Sequence, residues 1–206
     1  LGTVIETTAY DQIYDEHVFL FSVESVGYLF GQFDMEIIDV QAQSTHGGSM
    51  RYTIGHRGIH SISENVEAQK NLESDLGLSQ PSTYQNFKAS CEESRDQLVS
   101  LLTDINSQGK RIVGYAATSK STTVLNYCQI NSDLLPQIVD TTPIKHGRLS
   151  PGMHVPIVPY DEFSKLNPDY ALLFAYNHKN EIFSKEAEFL SRGGRWILYV
   201  PEVHTL

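Results

Sequence analysis

Cysteine is nearly absent from this sequence. Only two cysteines, Cys91 and Cys128, occur in 206 residues, and they stand far apart and outside any C-x-x-C pattern. A metal site built on thiolates is therefore excluded, and a disulfide framework is not expected. A reducing, cytoplasmic compartment is the simplest interpretation.

Long apolar runs and basic runs are also missing. No stretch approaches the roughly 18 apolar residues that a membrane-spanning helix needs, so we expect a soluble protein without a membrane partner. Fifteen Lys and Arg stand against 25 Asp and Glu, which gives a net charge of −10. Because a duplex-binding surface needs a basic stripe, nucleic acid is not an expected partner.

What the sequence does have is an ordinary globular composition, with 40% hydrophobic and 10% aromatic residues. This is enough to form the core of one large domain or two small ones. The chain begins at Leu1 and shows neither the charged nor the apolar region of a signal peptide. We therefore interpret it as a piece of a longer protein.

Residues 1–78 predict a small helix and a β-hairpin. Glu24–Phe33 carries its apolar residues at helical spacing, with Ser22 at the position of an N-cap. Met35–Val40 and Ser49–Ile54 are typical of strands, and the paired glycines between them allow a tight turn.

Residues 79–206 predict alternating strands and helices. Ser82 and Gln85 have the spacing of a capping box and open a helix that ends at Gly109. Further helices are predicted at Thr122–Cys128, around Glu162 and at Asn180–Leu190; the strands are Arg111–Ala116, Gln137–Asp140, His154–Ile157, Tyr170–Phe174 and Arg195–Val200. The fold class is therefore α/β, a Rossmann-like parallel sheet with flanking helices, preceded by the smaller helix and β-hairpin segment.

The densest polar cluster is the run Tyr14-Asp15-Glu16-His17, directly before an apolar stretch. An imidazole that titrates near neutrality, a carboxylate to orient it and a phenol to donate to an oxyanion are suited to proton abstraction. The alternative is a solvated turn before a buried strand. A metal site from Glu16, His17 and His46 is not expected, because no H-x-x-H or H-E-x-x-H spacing occurs.

Two further segments are candidate anion sites. In the first, His46, Gly47, Gly48, Ser49 and Arg51 combine backbone N–H groups with polar donors, although a hairpin turn with polar decoration is the alternative. The second runs from Gly114, at the end of a buried-type strand, to Thr123; Gly114, Ser119 and Lys120 are its binding candidates, and the helix N-terminus there suits a diphosphate.

The second segment is neither G-x-G-x-x-G nor a Walker A loop. Asp140 follows Gly114 at roughly the distance of a ribose-binding acid, which leaves an NAD-type interpretation open beside a purely structural one. Lys145 and Arg148 lie in the loop after Asp140, and Asn177 follows the predicted strand at Tyr170–Phe174, at an equivalent position of the sheet edge. Ligands of open parallel sheets bind at this edge, so these three residues are also binding candidates, with a solvated loop as the alternative.

Five segments together resemble a known family. They are Ile13–His17, His46–Ser49, Gly114–Lys120, Val139–Gly152 and Ala175–Asn177, and they occur in one order over almost the whole chain. This order and spacing resemble the C-terminal part of the sugar C-methyltransferases, which use S-adenosylmethionine to methylate nucleotide-linked 4-keto-deoxysugars. The loop after Gly114 departs from the family, because Ala116, Thr118 and Ser121 stand where glycine and proline are common.

The resemblance implies a three-part protein of which this chain is the last part. A zinc-binding unit and the S-adenosylmethionine-binding domain would lie upstream, so that the isolated chain would be inactive and hold no metal. His17 would take the proton from the carbon beside the ketone, Tyr14 would stabilise the enolate and Glu16 would orient the base. Asp15 stands where the family commonly has His.

The function implied by the resemblance is a methyltransferase of deoxysugar biosynthesis. The enolate attacks the methyl group of S-adenosylmethionine, and the partners are the nucleotide-sugar and the chain's own upstream domain. The alternatives are a non-catalytic module that binds a dinucleotide or nucleotide and an interaction domain without a ligand. The polar cluster that contains His17 favours the enzyme, because a pure binding module needs no base beside a carboxylate and a phenol.

Overall fold

The computed structural model describes all 206 residues except the side chain of His46. The chain divides into two compact units, and each is made of two stretches of sequence. The first comprises Leu1–Glu6 and Val18–Lys88, and the second comprises Thr7–His17 and Ala89–Leu206. The candidate catalytic segment therefore belongs to the unit that contains the large sheet.

The first unit is a helix–hairpin–helix arrangement. Its helices are α1 (Gly2–Glu6), α2 (Val23–Gly31) and α3 (Glu64–Asp75), and its strands are β1 (Met35–Gln43) and β2 (Ser49–His56), which pair antiparallel. The predicted helix and hairpin are confirmed. Ser22 caps α2 by accepting the N–H of Ser25, as its sequence position indicates. A bulge between Ile37 and Asp39 shifts the register of the hairpin.

Helix α3 is not predicted from the sequence, because its residues are almost entirely polar. Only Val66 and Glu73 are buried along its length. The Glu73 carboxylate accepts the N–H of Val23 through both oxygens, each at 2.9 Å, at the start of α2. Val66 completes a small apolar core with residues of α2 and β1, namely Val23, Val26, Ile37 and Val40.

The second unit is a six-stranded, mostly parallel sheet with helices around it. The long helix α4 (Pro81–Ser107) leads from the first unit into it. The remaining elements are β3 (Ile112–Tyr115), α5 (Ser119–Tyr127), β4 (Ile138–Asp140), β5 (Ile157–Pro159), α6 (Glu162–Leu166), β6 (Tyr170–Leu173), α7 (Lys179–Lys185), α8 (Ala187–Ser191), β7 (Arg195–Leu198) and β8 (His204–Thr205). The predicted α/β fold class is thereby confirmed.

The strand order β5-β4-β3-β6-β7-β8 creates a switch point at the centre of the sheet. From β3 the chain moves outward to β4 and β5, and it then returns to β6 on the other side of β3. In open parallel sheets, ligands bind outside the carboxyl ends of the strands at such a point. The ends of β3 and β6 are therefore the positions where a binding site is expected.

Several element boundaries differ from those that the sequence predicts. Helix α4 begins at Pro81, so Ser82 lies inside its first turn and is not the N-cap. Strand β5 begins at Ile157 and not at His154, since the preceding Pro156 forms only an isolated bridge with Leu149. The predicted helix at Asn180–Leu190 is two short helices that meet at Glu186. The two-residue strand β8, antiparallel to β7, was not predicted.

Aromatic side chains fill the core on one face of the sheet. Tyr115, Phe163, Phe189 and Trp196 are almost fully buried, and their ring centroids lie 5.1 to 6.1 Å apart in mostly edge-to-face pairs. Among the described residues, no helix combines the length and apolar character that crossing a membrane requires.

Gly114 lies inside β3, where neighbouring side chains leave no room for a Cβ. A Cβ added there would come within 2.8 Å of Ile138 Cγ1 and 3.1 Å of Phe174 Cε2. We expect Gly114→Ala to lower the free energy of unfolding by about 1–3 kcal/mol through overpacking. Chemical denaturation monitored by circular dichroism measures the change.

Gly27→Ala is the matched control for this prediction. Gly27 lies within helix α2, and an added Cβ would make only an ordinary contact with Ile37 at 3.8 Å. Because alanine favours helix more than glycine does, this variant should be about 0.5–1 kcal/mol more stable. An unchanged stability of Gly114→Ala would show that the sheet adjusts and that packing does not require the glycine.

Candidate active site

His17 lies at the end of a short segment that begins with the 3₁₀ turn Tyr10–Gln12. This turn is buried, and the Tyr10 hydroxyl lies 3.5 Å from Cys128 Sγ, just beyond the end of α5. The ring of Tyr10 also packs against Tyr127, with 5.1 Å between the centroids. The segment Thr7–His17 is thus fastened to the sheet domain by its first turn.

Both ring nitrogens of His17 lie within hydrogen-bond distance of a neighbouring group. Its Nδ1 lies 2.8 Å from the backbone carbonyl oxygen of Gln12, and its Nε2 lies 2.9 Å from the Tyr14 hydroxyl. A carbonyl oxygen can only accept, so the proton of the neutral ring is assigned to Nδ1. Nε2 then carries the lone pair and accepts the Tyr14 O–H. This is the tautomer that a base acting through Nε2 requires.

Tyr14 is suited to remain a proton donor. Its ring lies over the imidazole of His17, with 4.0 Å between the centroids. Partial burial, with added contributions from the charges of Glu16 and Asp11, raises the pKa of the Tyr14 phenol above its ordinary value. The phenol therefore stays protonated at neutral pH and can donate a hydrogen bond.

Glu16 does not orient the imidazole in this structure. Asp15 and Glu16 are both exposed, in the turn between Tyr14 and His17. In the described part of the chain no hydrogen bond joins Glu16 to His17, whose Nδ1 is bound by the Gln12 carbonyl instead. Sequence reasoning missed Gln12 because the group that acts is a backbone carbonyl, which no residue type indicates.

Asp11, which the sequence analysis did not single out, is the most deeply buried carboxylate near this segment. It has no exposed surface. Its Oδ1 accepts the Tyr176 hydroxyl at 3.0 Å and its Oδ2 accepts the Tyr199 hydroxyl at 2.9 Å. Burial raises the pKa of Asp11, and the positive charge of Lys120 and these hydrogen bonds oppose that effect. Its partners are more than 160 residues away in sequence, so no local pattern reveals them.

A basic cavity of about 280 Å³ opens at the carboxyl edge of the sheet. It combines the start of α5 with the loop after β4, and its lining includes Ser119, Lys145 and Arg148. Thr118 caps α5 by accepting the N–H of Ser121 at 3.1 Å. The structure thereby brings together two binding candidates that the sequence analysis treated separately. A helix N-terminus with two cations is suited to an anion.

Asp140 does not line this cavity, but it binds two residues that do, Ala117 and Lys145. Its Oδ2 accepts the Ala117 N–H at 2.7 Å and Lys145 Nζ at 3.3 Å, and its Oδ1 accepts the Thr142 N–H at 2.7 Å. Burial pushes the pKa of Asp140 upward, but the hydrogen bonds from Thr142 and Ala117 and the charge of Lys145 hold it below its ordinary value. Both carboxylate oxygens are therefore engaged within the chain.

Lys120 and Asn177 stand apart from the basic cavity. Lys120 is buried, and its Nζ lies 4.6 Å from the centroid of the Tyr176 ring. Burial lowers the pKa of Lys120, whereas the charge of Asp11 raises it. Asn177 Oδ1 is buried and has no hydrogen-bond partner among the described residues. The sheet edge near β6 thus contains one acceptor that the chain itself leaves unused.

The loop between β3 and α5 contains a strained residue. Ala116 has a φ of 73°, in the left-handed region that favours glycine. Its N–H donates to Val139 and its carbonyl accepts the N–H of Thr118, and these bonds hold the conformation. The alanine thus adopts a backbone conformation that glycine reaches more easily, at the edge where ligands bind in open parallel sheets.

A second cavity, of about 390 Å³, opens at the ends of β3, β4 and β6. Tyr115 and Tyr160 line it, and both donate to Glu186 Oε1, at 2.7 and 2.6 Å. Lys185 Nζ lies 3.6 Å from the centroid of the Tyr160 ring. Burial and the Glu186 carboxylate raise the pKa of Tyr160 to about 12. Its mixed charges make this cavity less suited to a diphosphate than the basic one.

The hairpin candidates lie in the first unit. Gly47 and Gly48 have φ values of 88° and 132°, so the turn uses the freedom of both glycines. Ser49 opens β2, and Arg51 donates to the Gln43 side chain at 3.4 Å. The side chain of His46 lies outside the described residues. Among those that are described, no group of three or more His, Cys, Asp and Glu is arranged to hold a metal ion.

Comparison with known proteins supplies the family. A model of the C-methyltransferase C-terminal domain matches residues 44–201. The chain is also 31% identical over 203 residues to the C-methyltransferase NovU of Streptomyces niveus. That alignment covers 98% of this chain and 48% of the relative, so the chain spans about half the length of the curated relative it matches. The chain belongs to the C-methyltransferase C-terminal domain family.

Proposed function

We propose that this domain binds a nucleotide-linked 4-keto-deoxysugar and removes the proton beside its ketone, within a C-methyltransferase. The observation that carries the proposal is the Tyr14–His17 pair, in which Gln12 holds the imidazole with its Nε2 lone pair toward a phenol. A base and an oxyanion donor in contact are what enolate formation needs. Family membership supports methyl transfer as the use of that enolate.

The proton transfer follows from this geometry. The ketone oxygen replaces Nε2 as the acceptor of the Tyr14 hydroxyl, which frees the Nε2 lone pair. Nε2 then takes the proton from the adjacent carbon, and the C–H electron pair forms the enolate, whose oxygen is stabilised by Tyr14. The Gln12 carbonyl stabilises the imidazolium by accepting its Nδ1–H, which is the role the sequence analysis gave to Glu16.

The basic cavity is the proposed site for the diphosphate of the substrate. Lys145 and Arg148 supply charge and the start of α5 supplies backbone N–H groups. Asp140 fixes Lys145, whose Nζ also donates to the Ala117 carbonyl at 2.7 Å. Asn177 Oδ1 is a further acceptor for a sugar hydroxyl at the same sheet edge.

The residues of this cavity do not fit S-adenosylmethionine. That cofactor carries a sulfonium and an ammonium group against a single carboxylate, so its net charge is positive and Lys145 and Arg148 would repel it. We therefore propose that the methyl donor binds in a separate, upstream domain, as in the three-part family that the sequence resembles. In this proposal the residues of this chain bind the substrate and form the enolate, and the methyl transfer itself takes place at the separate cofactor site.

The structure offers no support for the dinucleotide alternative. A ribose-binding acid accepts a hydrogen bond from the ribose hydroxyl, and an ionised carboxylate offers about four acceptor positions in all. Both oxygens of Asp140 already accept hydrogen bonds from Ala117, Thr142 and Lys145.

Calorimetric titration of this chain with deoxythymidine diphosphate tests the diphosphate site. We expect binding that weakens as salt is raised, and about tenfold weaker binding to Arg148→Ala, the loss of about 1.4 kcal/mol from one charge-assisted contact. Arg148 is exposed, and no bond to its side chain occurs in the described part of the chain, so the variant should fold normally.

Arg195→Ala is the control, because Arg195 is also exposed but begins β7 at the opposite edge of the sheet. Its affinity should equal that of the unmodified chain. Equal affinity of both variants would remove Arg148 from the site. Binding of NADH without binding of the diphosphate would favour the dinucleotide module instead.

A further inference from the structure

We propose that Asp11 is a positioning residue for His17, acting through the backbone carbonyl of Gln12. The inference rests on the proposed function, since it matters for catalysis only if His17 is the base. Asp11 has no exposed surface, and each of its carboxylate oxygens accepts one tyrosine hydroxyl. An ionisable group is costly at such a site unless it is hydrogen-bonded.

The two tyrosines lie just beyond the ends of two different strands of the sheet. Tyr176 follows the end of β6 and Tyr199 follows the end of β7. Their rings meet edge to face with 5.6 Å between the centroids, and Tyr199 is fully buried. Because both hydroxyls are fixed by the sheet, two hydrogen bonds at 3.0 and 2.9 Å fix the position and the orientation of the Asp11 carboxylate.

The backbone transmits this position to His17. Asp11 is the central residue of the turn Tyr10–Gln12, which the bond from the Ile13 N–H to the Tyr10 carbonyl closes at 3.0 Å. Gln12 is the residue after Asp11, and its carbonyl accepts the His17 Nδ1–H at 2.8 Å. If the turn Tyr10–Gln12 shifted by about an ångström, the hydrogen bond between His17 Nδ1 and the Gln12 carbonyl would break. The proton of the neutral ring would then no longer be favoured on Nδ1.

Among the described groups that act on Asp11, one carries the opposite charge. Lys120, in the first turn of α5, lies with its Nζ over the Tyr176 ring and acts on Asp11 electrostatically. The other ionisable groups near Asp11 are Tyr10, Tyr14, Tyr176 and Tyr199. Asp11 thus links the segment of His17 to the end of the sheet and to the helix that borders the basic cavity.

Nitrogen-15 NMR of the His17 ring in this chain tests the inference directly. Asp11→Ala should convert a nearly pure Nδ1–H ring into a mixture of tautomers, while Asp11→Asn, which still accepts one phenol, should keep the Nδ1–H form. Tyr10→Phe is the matched control, because it removes the contact of the same turn with Cys128 and leaves Asp11 untouched. Tyr176→Phe keeps the aromatic ring and removes one of the two hydroxyls that donate to Asp11. It should therefore shift the His17 tautomer partly toward the mixture, which tests the inference even if Asp11→Ala does not fold.

Turnover in a protein that also carries the methyl-donor domain separates this inference from the proposed function. Asp11→Ala should lower kcat about 10²-fold at unchanged KM, the size expected for a misplaced catalytic group, and Asp11→Asn should restore most of it. An unchanged His17 tautomer in folded Asp11→Ala or in Tyr176→Phe overturns the positioning role. A shifted tautomer together with full activity of His17→Ala overturns the proposed function and leaves the positioning intact.

Discussion

Replacing His17 with alanine is expected to lower kcat about 10²- to 10⁴-fold in a protein that contains this domain and its methyl-donor domain, because a positioned general base contributes a factor of that size. KM for the nucleotide-sugar should change little, since the imidazole acts on a proton that moves only in the transition state. Steady-state turnover with the 4-keto-sugar nucleotide, read as methylated product, measures both constants.

His204→Ala is the matched control for this prediction. The His204 imidazole also bonds a nearby backbone carbonyl through Nδ1, that of Glu202 at 2.9 Å, but it lies in β8, where no candidate site residue lies. Its removal should leave kcat unchanged. If His17→Ala turns over at the rate of His204→Ala, His17 is not the base.

Replacing Asp140 with alanine is expected to lower the free energy of unfolding by about 2–3 kcal/mol, because it leaves the Ala117 and Thr142 N–H groups and Lys145 Nζ without their acceptor. The contribution depends on pH. Because the pKa of Asp140 is lower in the folded than in the unfolded chain, its stabilisation is present above pH about 4 and disappears as the pH falls through the folded value.

Urea denaturation at neutral pH and at progressively lower pH measures this effect. The difference between the unmodified chain and Asp140→Ala should shrink on acidification. Asp104→Ala is the control, since Asp104 is exposed on α4 and should change the free energy by no more than about 0.5 kcal/mol at either pH. A similarly small effect for Asp140→Ala would show that the loop holds its position without the carboxylate.

The parts of the fold that could be predicted are those with a strong local period. The apolar spacing of α2 and α4 and the short apolar runs of β3 and β6 are local patterns, and the structure confirms these elements. Helix α3 has no such period because it buries only Val66 and Glu73. Strand β8 is two residues long and exists only because β7 offers it a free edge.

The candidate site divides in the same way. Tyr14 and His17 are three residues apart, so one turn brings them together and their sequence already points to proton abstraction. Lys145 and Ser119 come to the same cavity because carboxyl ends of parallel strands share one edge, a consequence of the fold class. The predicted role of Glu16 rested on its place beside His17 and on the family resemblance, and that of Asp140 on its spacing from Gly114. The hydrogen bonds at both places are set by neighbours that neither pattern specifies.

By itself the sequence determined which residue types are available for proton abstraction, the α/β fold class and the family resemblance. Each of these depends only on local spacing or on the order of motifs along the chain. Only the tertiary structure decided what holds His17, which is the backbone carbonyl of the residue after Asp11. Asp11 is in turn fixed by the hydroxyls of Tyr176 and Tyr199, which follow strand ends more than 160 residues away in sequence. The physical reason is that the position of a buried hydrogen-bonded group depends on all of its partners, and these come together only when the sheet forms.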